Sequence, residues 1–493
     1  MLTLYFSSRE SIGVLSSESK GVTQTDELKP TLYSTCRFID SHTAPADGQV
    51  HVRPPESALV PDATAFIHAL PVEILSTIFV LAQVMLDSGP SKASCFPLII
   101  STVSRFWRNV ALGTALLWKG LYLSPPWRLN SDMITTYLNR SGSYPIDLFF
   151  STATTGVRPP CLDVDRLYTL LVPYLARCRT ISMIGDRSTD STVLGLLQML
   201  SQSALPLVER FSVELGESTY KKTSCDLDTP SLKELRLYGC NLLFNVPMDG
   251  ITTLHLAVRI SHSRFREALT VCRALKVLAI YDNHIYDWPV PSAPQPLPLN
   301  SLMSLQIYGD MQAVPELLFS LGAPNLTDLS VTPVVAEDFM ALSRYLGSCS
   351  TKFPSLRTLT LAPHRPYSYK ALPIASKLFP TVEHFTLVTM EDRPFALTFI
   401  NLVEGNILFP HLSKLALRAI DCRTEALLIE MIEFRKAQGY ALRLLQIDPQ
   451  SVRGMHRSLS FLKTQVEVEV CDVWDIRMRG ALSSAGFDRL AGF

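Results

Sequence analysis

No two cysteines in this chain stand at C-x-x-C spacing. The ten cysteines (36, 95, 161, 178, 225, 240, 272, 349, 422 and 471) are scattered, which excludes zinc-ribbon and dithiol redox classes. An excess of one charge is also missing. Lys plus Arg equals Asp plus Glu at 45 each, so no large footprint for nucleic acid or an anionic membrane is expected. Long apolar runs are absent too, since the longest, IFVLAQVML at 78–86, falls far short of the roughly 20 residues that span a bilayer. The first residues, MLTLYFSSRESIGVLSS, have neither a basic stretch nor a sustained apolar core, so no secretory signal is expected. A reducing, cytoplasmic and/or nuclear setting follows, and the Asn-x-Ser/Thr matches at Asn139 and Asn325 then carry no glycan. Finally, HExxH, GxxxxGK[ST], GxSxG and a post-strand GxGxxG do not occur, and the ten histidines are dispersed. The chain is expected to be non-catalytic and to need no cofactor or metal.

What the chain does have is one short sentence respelled many times. PLVERFSVEL, PSLKELRLYGC, PNLTDLSVTPV, PSLRTLTLAPH, PTVEHFTLVTM and PHLSKLALRAI each give a branched apolar residue, two variable positions, then apolar–any–apolar. Weaker copies read GITTLHLAV, RALKVLAIYDN, NSLMSLQIYGD and YALRLLQIDPQ. Their first apolar residues are Val208, Leu232, Ile251, Leu275, Leu302, Leu326, Leu356, Val382, Leu412 and Leu442. The steps are therefore 24, 19, 24, 27, 24, 30, 26, 30 and 30 residues, a period that marks a solenoid.

The apolar–any–apolar tripeptide predicts a short strand with alternating faces. Six copies open with Pro206, Pro230, Pro324, Pro354, Pro380 or Pro410, which predicts proline at the strand's first position. Helical patterns lie between strands at 165–178, 190–202, 262–272, 337–346 and 424–439. The expected fold class is α/β, with parallel strands inside a curve and helices outside, because no single repeat buries its apolar face alone.

The remaining organisation is expected to be a Ser/Thr-rich disordered tail at 1–62, a helical domain at 63–123, a linker and solenoid cap at 124–177, the repeats at 178–450 and a C-terminal cap at 451–493. In the helical domain, Pro71 fits a first helical turn with Glu73 near the positive dipole end. Ile74, Leu75, Ile78, Phe79 and Ala82 share one face, and Ile99, Val103, Phe106, Trp107 and Val110 form a stripe in the next helical stretch. Three helices in so short a stretch make a marginal core, so a covering partner is expected.

The repeats resemble the irregular intracellular leucine-rich repeats, matching L-x-x-L-x-L while mostly lacking the Asn or Cys that often follows. The helical domain resembles the F-box: L-P-x-E-I-L-x-x-I-F, then V-x-R-x-W-R, then L-W, carried by Leu70, Pro71, Glu73, Ile74, Leu75, Ile78 and Phe79, by Val103, Arg105, Trp107 and Arg108, and by Leu117 and Trp118. Ser104 stands where that family often has cysteine, and the stretch after the first helix is longer than usual. The resemblance implies a small three-helix F-box followed by a horseshoe of repeats. It further implies a substrate-recognition subunit of an SCF-type cullin–RING ubiquitin ligase, which binds the S-phase-kinase-associated adaptor and holds an unidentified protein target by proximity. The implied adaptor contacts are Leu70, Pro71, Ile74, Leu75, Ile78, Phe79, Val103, Trp107, Leu117 and Trp118. The alternative is a leucine-rich-repeat scaffold or GTPase regulator whose helical domain is only a cap.

Strand alternation gives candidate target contacts on the inner face. Tyr238, Tyr281 and Tyr308 end three strands and are expected to be exposed, with Arg236, His255, Gln306 and Asp328 supplying polar specificity. The insert at 281–300, with Trp288 and a run of prolines, is expected to project as a stiff loop.

Overall fold

The computed structural model describes residues 70–86, 96–123, 131–152, 164–185, 190–215, 222–244, 248–281, 285–289, 296–309, 313–347, 352–363, 371–388, 407–417, 422–455 and 459–471. The expected tail at 1–62 and the stretch 472–493 lie outside the described residues. The described residues all belong to one compact unit spanning 64–493.

Its spine is a fourteen-stranded sheet in which every strand pairs in parallel with the next in sequence. The strands are β1 (Gly120–Leu123), β2 (Ile146–Ser151), β3 (Cys178–Ile184), β4 (Arg210–Glu214), β5 (Glu234–Tyr238), β6 (Thr253–Ala257) and β7 (Val277–Tyr281). Then follow β8 (Ser304–Tyr308), β9 (Asp328–Val334), β10 (Thr358–Pro363), β11 (His384–Leu387), β12 (Lys414–Leu417), β13 (Leu444–Ile447) and β14 (Glu467–Val470). Before the sheet come helices α1 (Val72–Leu86), α2 (Phe96–Val103) and α3 (Arg105–Gly113), and a 3-10 turn at Ala115–Trp118. Crossover helices are α4 (Ser131–Arg140), α5 (Val164–Leu175), α6 (Asp190–Leu200), α7 (His262–Val271), α8 (Val314–Ser320), α9 (Ala336–Leu346), α10 (Ala371–Leu378) and α11 (Cys422–Ala437). After β13 lie α12 (Pro449–Gly454) and α13 (Leu459–Gln465). This is an α/β chain with a long parallel sheet in a solenoid-like stack. Parallel pairing needs crossovers long enough to bring the chain back; most of these carry a helix, while those from β4 to β5, β5 to β6 and β7 to β8 carry only short strands among the described residues.

The repeat pattern builds the core directly. Leu235 and Leu237, Leu278 and Ile280, Leu329 and Val331, and Leu359 and Leu361 all point to the helix side and are buried, as are the first apolar residues Val208 through Leu442. Each such side chain contributes about 2 kcal/mol when removed from water. Cys178, Cys240 and Cys272 are buried among them, and burial pushes the Cys178 thiol up to about 12 and that of Cys272 to about 11.

Two expectations need correcting here. The repeat prolines do not occupy the first strand position. Each sits four residues earlier, one residue into a turn closed by Val208 N–H on Leu205 O (3.2 Å), Leu232 on Thr229 (3.1 Å), Leu326 on Ala323 (3.2 Å), Leu356 on Phe353 (3.1 Å), Val382 on Phe379 (3.4 Å) and Leu412 on Phe409 (3.0 Å). That second turn position suits proline's fixed φ, and proline's missing N–H is not needed there. Immediately after the turn, one carbonyl of each repeat accepts two consecutive N–H groups of the next. Glu209 O takes Lys233 and Glu234, Lys276 O takes Met303 and Ser304, and Thr327 O takes Arg357 and Thr358.

The sheet also starts before residue 178. The stretch 124–177, read as linker and cap, supplies α4, β2 and α5, and β1 lies within the helical domain. Four-residue β1 lacks the L-x-x-L prefix, so only its pairing reveals it, whereas β2 coincides with the strand-like PIDLFF of the sequence at 145–150. That domain shares the core of the sheet: Leu75, Phe79, Leu117 and Trp118 join one continuous cluster with Ile134, Tyr137 and the repeat leucines. Trp118 packs edge-on to Tyr137 at 4.7 Å and donates its indole N–H to Ala111 O at 2.9 Å. The helical stretch at 95–113 is two helices, not one, because Ser104 has extended backbone (φ −157°) and caps α3 by accepting from Trp107 N at 3.1 Å. A hydroxyl at that position does work that an N-cap requires.

Candidate functional site

Two surfaces hold the side chains singled out from the sequence. The first is on α1 and α2. In α1, Leu75, Phe79 and Gln83 recur at i, i+4 and i+8 and face inward, and Gln83 donates to Leu117 O at 3.3 Å. A second apolar stripe, Ile74, Ile78 and Leu81, faces solvent at 49%, 45% and 56% exposure. On α2, Leu98, Ile99 and Val103 are also exposed, at 41%, 57% and 56%. A helix that is apolar on both sides is normally enclosed; here one side has no cover. Hiding these six half-exposed side chains would contribute about 1 kcal/mol each.

The predicted adaptor contacts therefore separate. Pro71, Ile74, Ile78 and Val103 are exposed, and Leu70 and Trp107 are half-buried against the core. Leu75 (1%), Phe79 (2%), Leu117 (0%) and Trp118 (1%) are enclosed and cannot touch a partner. They were grouped with the surface set because a helix with two apolar stripes gives no internal sign of which one faces the body. Trp107 packs on Phe79, ring to ring at 4.9 Å. Leu81, Leu98 and Ile99 were missed as contacts; their place in the second apolar stripe was the available signal.

The second surface is the face of the sheet not covered by helices. Parallel register lines its side chains up in rows across the strands. One row reads Ile184, Glu214, Tyr238, Ala257, then Tyr281, Tyr308 and Thr332, with Ala257 and Tyr281 joined through the neighbouring pairs of β6 and β7. The next row, two residues back, reads Phe149, Ser182, Ser212, Arg236, His255, Ala279, Gln306 and Ser330.

The three tyrosines are not exposed contacts. Tyr238 (7%), Tyr281 (2%) and Tyr308 (3%) are buried and form a small second core with Ala257 and Ala279. Strands about 4.8 Å apart would hold Tyr238 and Tyr281 too far apart to touch. Ala257 between them leaves room for the rings to lean together at 5.1 Å, and Tyr281 stacks on Tyr308 at 5.2 Å. His255 lies 3.0 Å by Nδ1 from the Tyr281 hydroxyl. Burial, with the nearby Arg236 charge, holds His255 down to about 3, so it is neutral at physiological pH. Burial likewise pushes the Tyr281 hydroxyl far up.

Gln306 is buried and accepts from the Tyr308 hydroxyl at 3.3 Å. Arg236 is exposed and pairs with Glu234 at 2.5 Å. Asp328 is half-buried, bonded by Thr327 Oγ1 at 2.7 Å, in a row apart from the tyrosines. Trp288 is not on this face: it packs at 4.7 Å on His262, at the start of α7, and donates to Ile285 O at 2.9 Å. The start of the insert is thus pinned, with Ile285 paired to Ile260 and buried, and Pro291 and Pro294 lie outside the described residues. Glu214, which the sequence reading did not single out, is half-buried in the tyrosine row and burial raises its carboxyl to about 7.

Among the described residues no group of His, Cys, Asp or Glu is placed to hold a metal ion, and no helix is long and apolar enough to cross a membrane. Compared with known proteins, the chain matches no family model and no curated sequence.

Proposed function

We propose that this chain is the target-holding subunit of an SCF-type ubiquitin ligase, with an F-box at its start and leucine-rich repeats behind it. The observation that carries the reading is the exposed apolar stripe of Ile74, Ile78 and Leu81 on α1, with Leu98, Ile99 and Val103 likewise exposed on α2. It coincides with the L-P-x-E-I-L-x-x-I-F segment and is an apolar patch of the kind that marks a protein-binding site. Docked there, an adaptor of the cullin–RING assembly would tether the sheet, and a protein on the sheet's open face would be ubiquitinated by proximity, with no reacting group from this chain. The experiment is co-expression with the adaptor. Stable co-purification that is lost in Ile78→Glu with Ile99→Glu supports the reading, and a wild-type chain that never retains the adaptor ends it.

One observation favours a second reading, a repeat scaffold without ligase role: the helical segment shares a continuous core with the sheet, as a cap would. A cap alone does not account for the uncovered stripe, so the first reading is preferred.

A further inference from the structure

Charge accounting on the open face leaves one residue over. Arg179 makes two bonds to Asp147, at 3.2 and 2.6 Å. Arg210 sits 3.8 Å from the same carboxylate and bonds the Thr180 hydroxyl at 3.1 and 2.9 Å. Arg236 is paired with Glu234, and Lys233 with Glu209 at 2.7 Å. Glu214 has no ion pair with a described side chain, and desolvation is the cause of its raised carboxyl. A half-buried carboxylate without a counter-charge costs the fold stability. Such groups concentrate where a ligand completes them.

The surroundings have the form of a slot. Phe211, Val213 and Leu215 of the same stretch point into the core, so alternation turns Glu214 to the open face. Over β3 and β4 the middle row of that face is Ser182 and Ser212, both half-buried, with Thr180 and Arg210 to one side and Ile184 and Glu214 to the other. One side of this low floor is walled by Tyr122 and Phe149, stacked at 4.5 Å with their rings within 7° of parallel. The other is walled by Arg236 and the buried Tyr238, which lies directly beside Glu214 in register. From β2 to β5 is three strand spacings, about 14 Å, room for one long side chain between aromatic walls.

We propose, on the footing that the open face holds a protein target, that this slot receives a lysine or arginine side chain of the target, with its charge on the Glu214 carboxylate. An aliphatic stem would lie over Ser182 and Ser212 against the aromatic walls, and the cationic head would supply a counter-charge that no described side chain provides. Acidic or phosphorylated segments would meet an unpaired carboxylate and be disfavoured.

The test uses the full chain, wild type and Glu214→Gln, against a positional-scanning library of immobilised decapeptides. Wild type should enrich Lys or Arg at one position at least tenfold over Gln. Glu214→Gln should abolish that enrichment while preserving preferences elsewhere, and Glu214→Asp should retain part of it. Because Glu214→Gln removes an uncompensated charge, it should fold at least as well as wild type. An enrichment that persists in Glu214→Gln, an acidic or phosphorylated preference, or no basic enrichment at all (including no peptide bound) overturns the proposal. Adaptor co-purification from the same preparations reads the ligase role separately. A chain that shows the Glu214-dependent basic preference without the adaptor keeps this inference and loses the other.

Discussion

The Nδ1 atom of His255 lies 3.0 Å from the hydroxyl of Tyr281, with the two rings 6.0 Å apart and inclined by only 14°. This pairing holds the imidazole inside the second core, where protonation would strand a charge. His255 therefore stays neutral in the folded chain far below the pH at which it charges when unfolded.

A pH dependence follows, with a definite sign. The folded-state value of about 3 lies below the ordinary 6.5, so the unfolded chain binds the extra proton and stability falls as pH drops from 6.5 toward 3. His255→Asn should flatten this acid limb in urea titrations at stepped pH. A limb of unchanged slope would place the titrating group elsewhere.

Glu214 acts in the opposite direction. Its carboxyl is raised from 4.5 to about 7, so the folded chain holds the extra proton and stability falls as pH rises from 4.5 through 7. At about 1.4 kcal/mol per pH unit the full effect is at most about 3 kcal/mol. Glu214→Gln should therefore be more stable than wild type at pH 8 and equal to it near pH 4. Equal melting temperatures at both pH values would refute this.

Ala257 is needed small. The rings of Tyr238 and Tyr281 meet above it at 5.1 Å, so Ala257→Leu should overpack the second core and cost about 1–3 kcal/mol. Chemical denaturation would measure it, and a neutral result would mean the tyrosines part without penalty.

Arg435 is 2% exposed and donates to Leu408 O, Phe409 O and Leu412 O at 2.7, 3.1 and 3.5 Å, tying α11 to the turn before β12. Arg435→Leu leaves buried carbonyls unsatisfied and should cost about 2–4 kcal/mol. Hydrogen exchange should loosen first around 407–417.

The two stripes of α1 should respond differently. Leu75→Ala removes an enclosed side chain and should destabilise the chain by about 2–5 kcal/mol. Ile78→Ser exposes nothing new and should shift stability by under about 1 kcal/mol. If adaptor binding is lost with Leu75→Ala only, the uncovered stripe is not the docking surface.

Most of the architecture was legible because the L-x-x-L-x-L phase directly encodes three buried positions per repeat. The five helical patterns also fall within a few residues of α5, α6, α7, α9 and α11. What escaped had weaker grammar. Helices α8 and α10 are too short to show a period, and β1 lacks the leading leucine. For the candidate site, alternation put Tyr238, Tyr281 and Tyr308 on the correct face but not their burial, because ring stacking over Ala257 and Ala279 depends on neighbouring strands. Glu214 looked like any strand-end carboxylate. Only the fold around it shows that no described cation answers it.

The doubled carbonyl at each step, such as Thr327 O holding Arg357 and Thr358, fixes where one repeat meets the next but not how long the path between them is. Steps of 19 and 30 residues enter the same sheet, and the register shift at one 30-residue step is confined to the far end of β9 and β10, between Val331 and Val334. The chain can therefore gain or lose material on its helix side while the order of side chains on its open side is preserved. The surface that would read a target is insulated, by this hydrogen-bonded hinge line, from drift in the scaffold behind it.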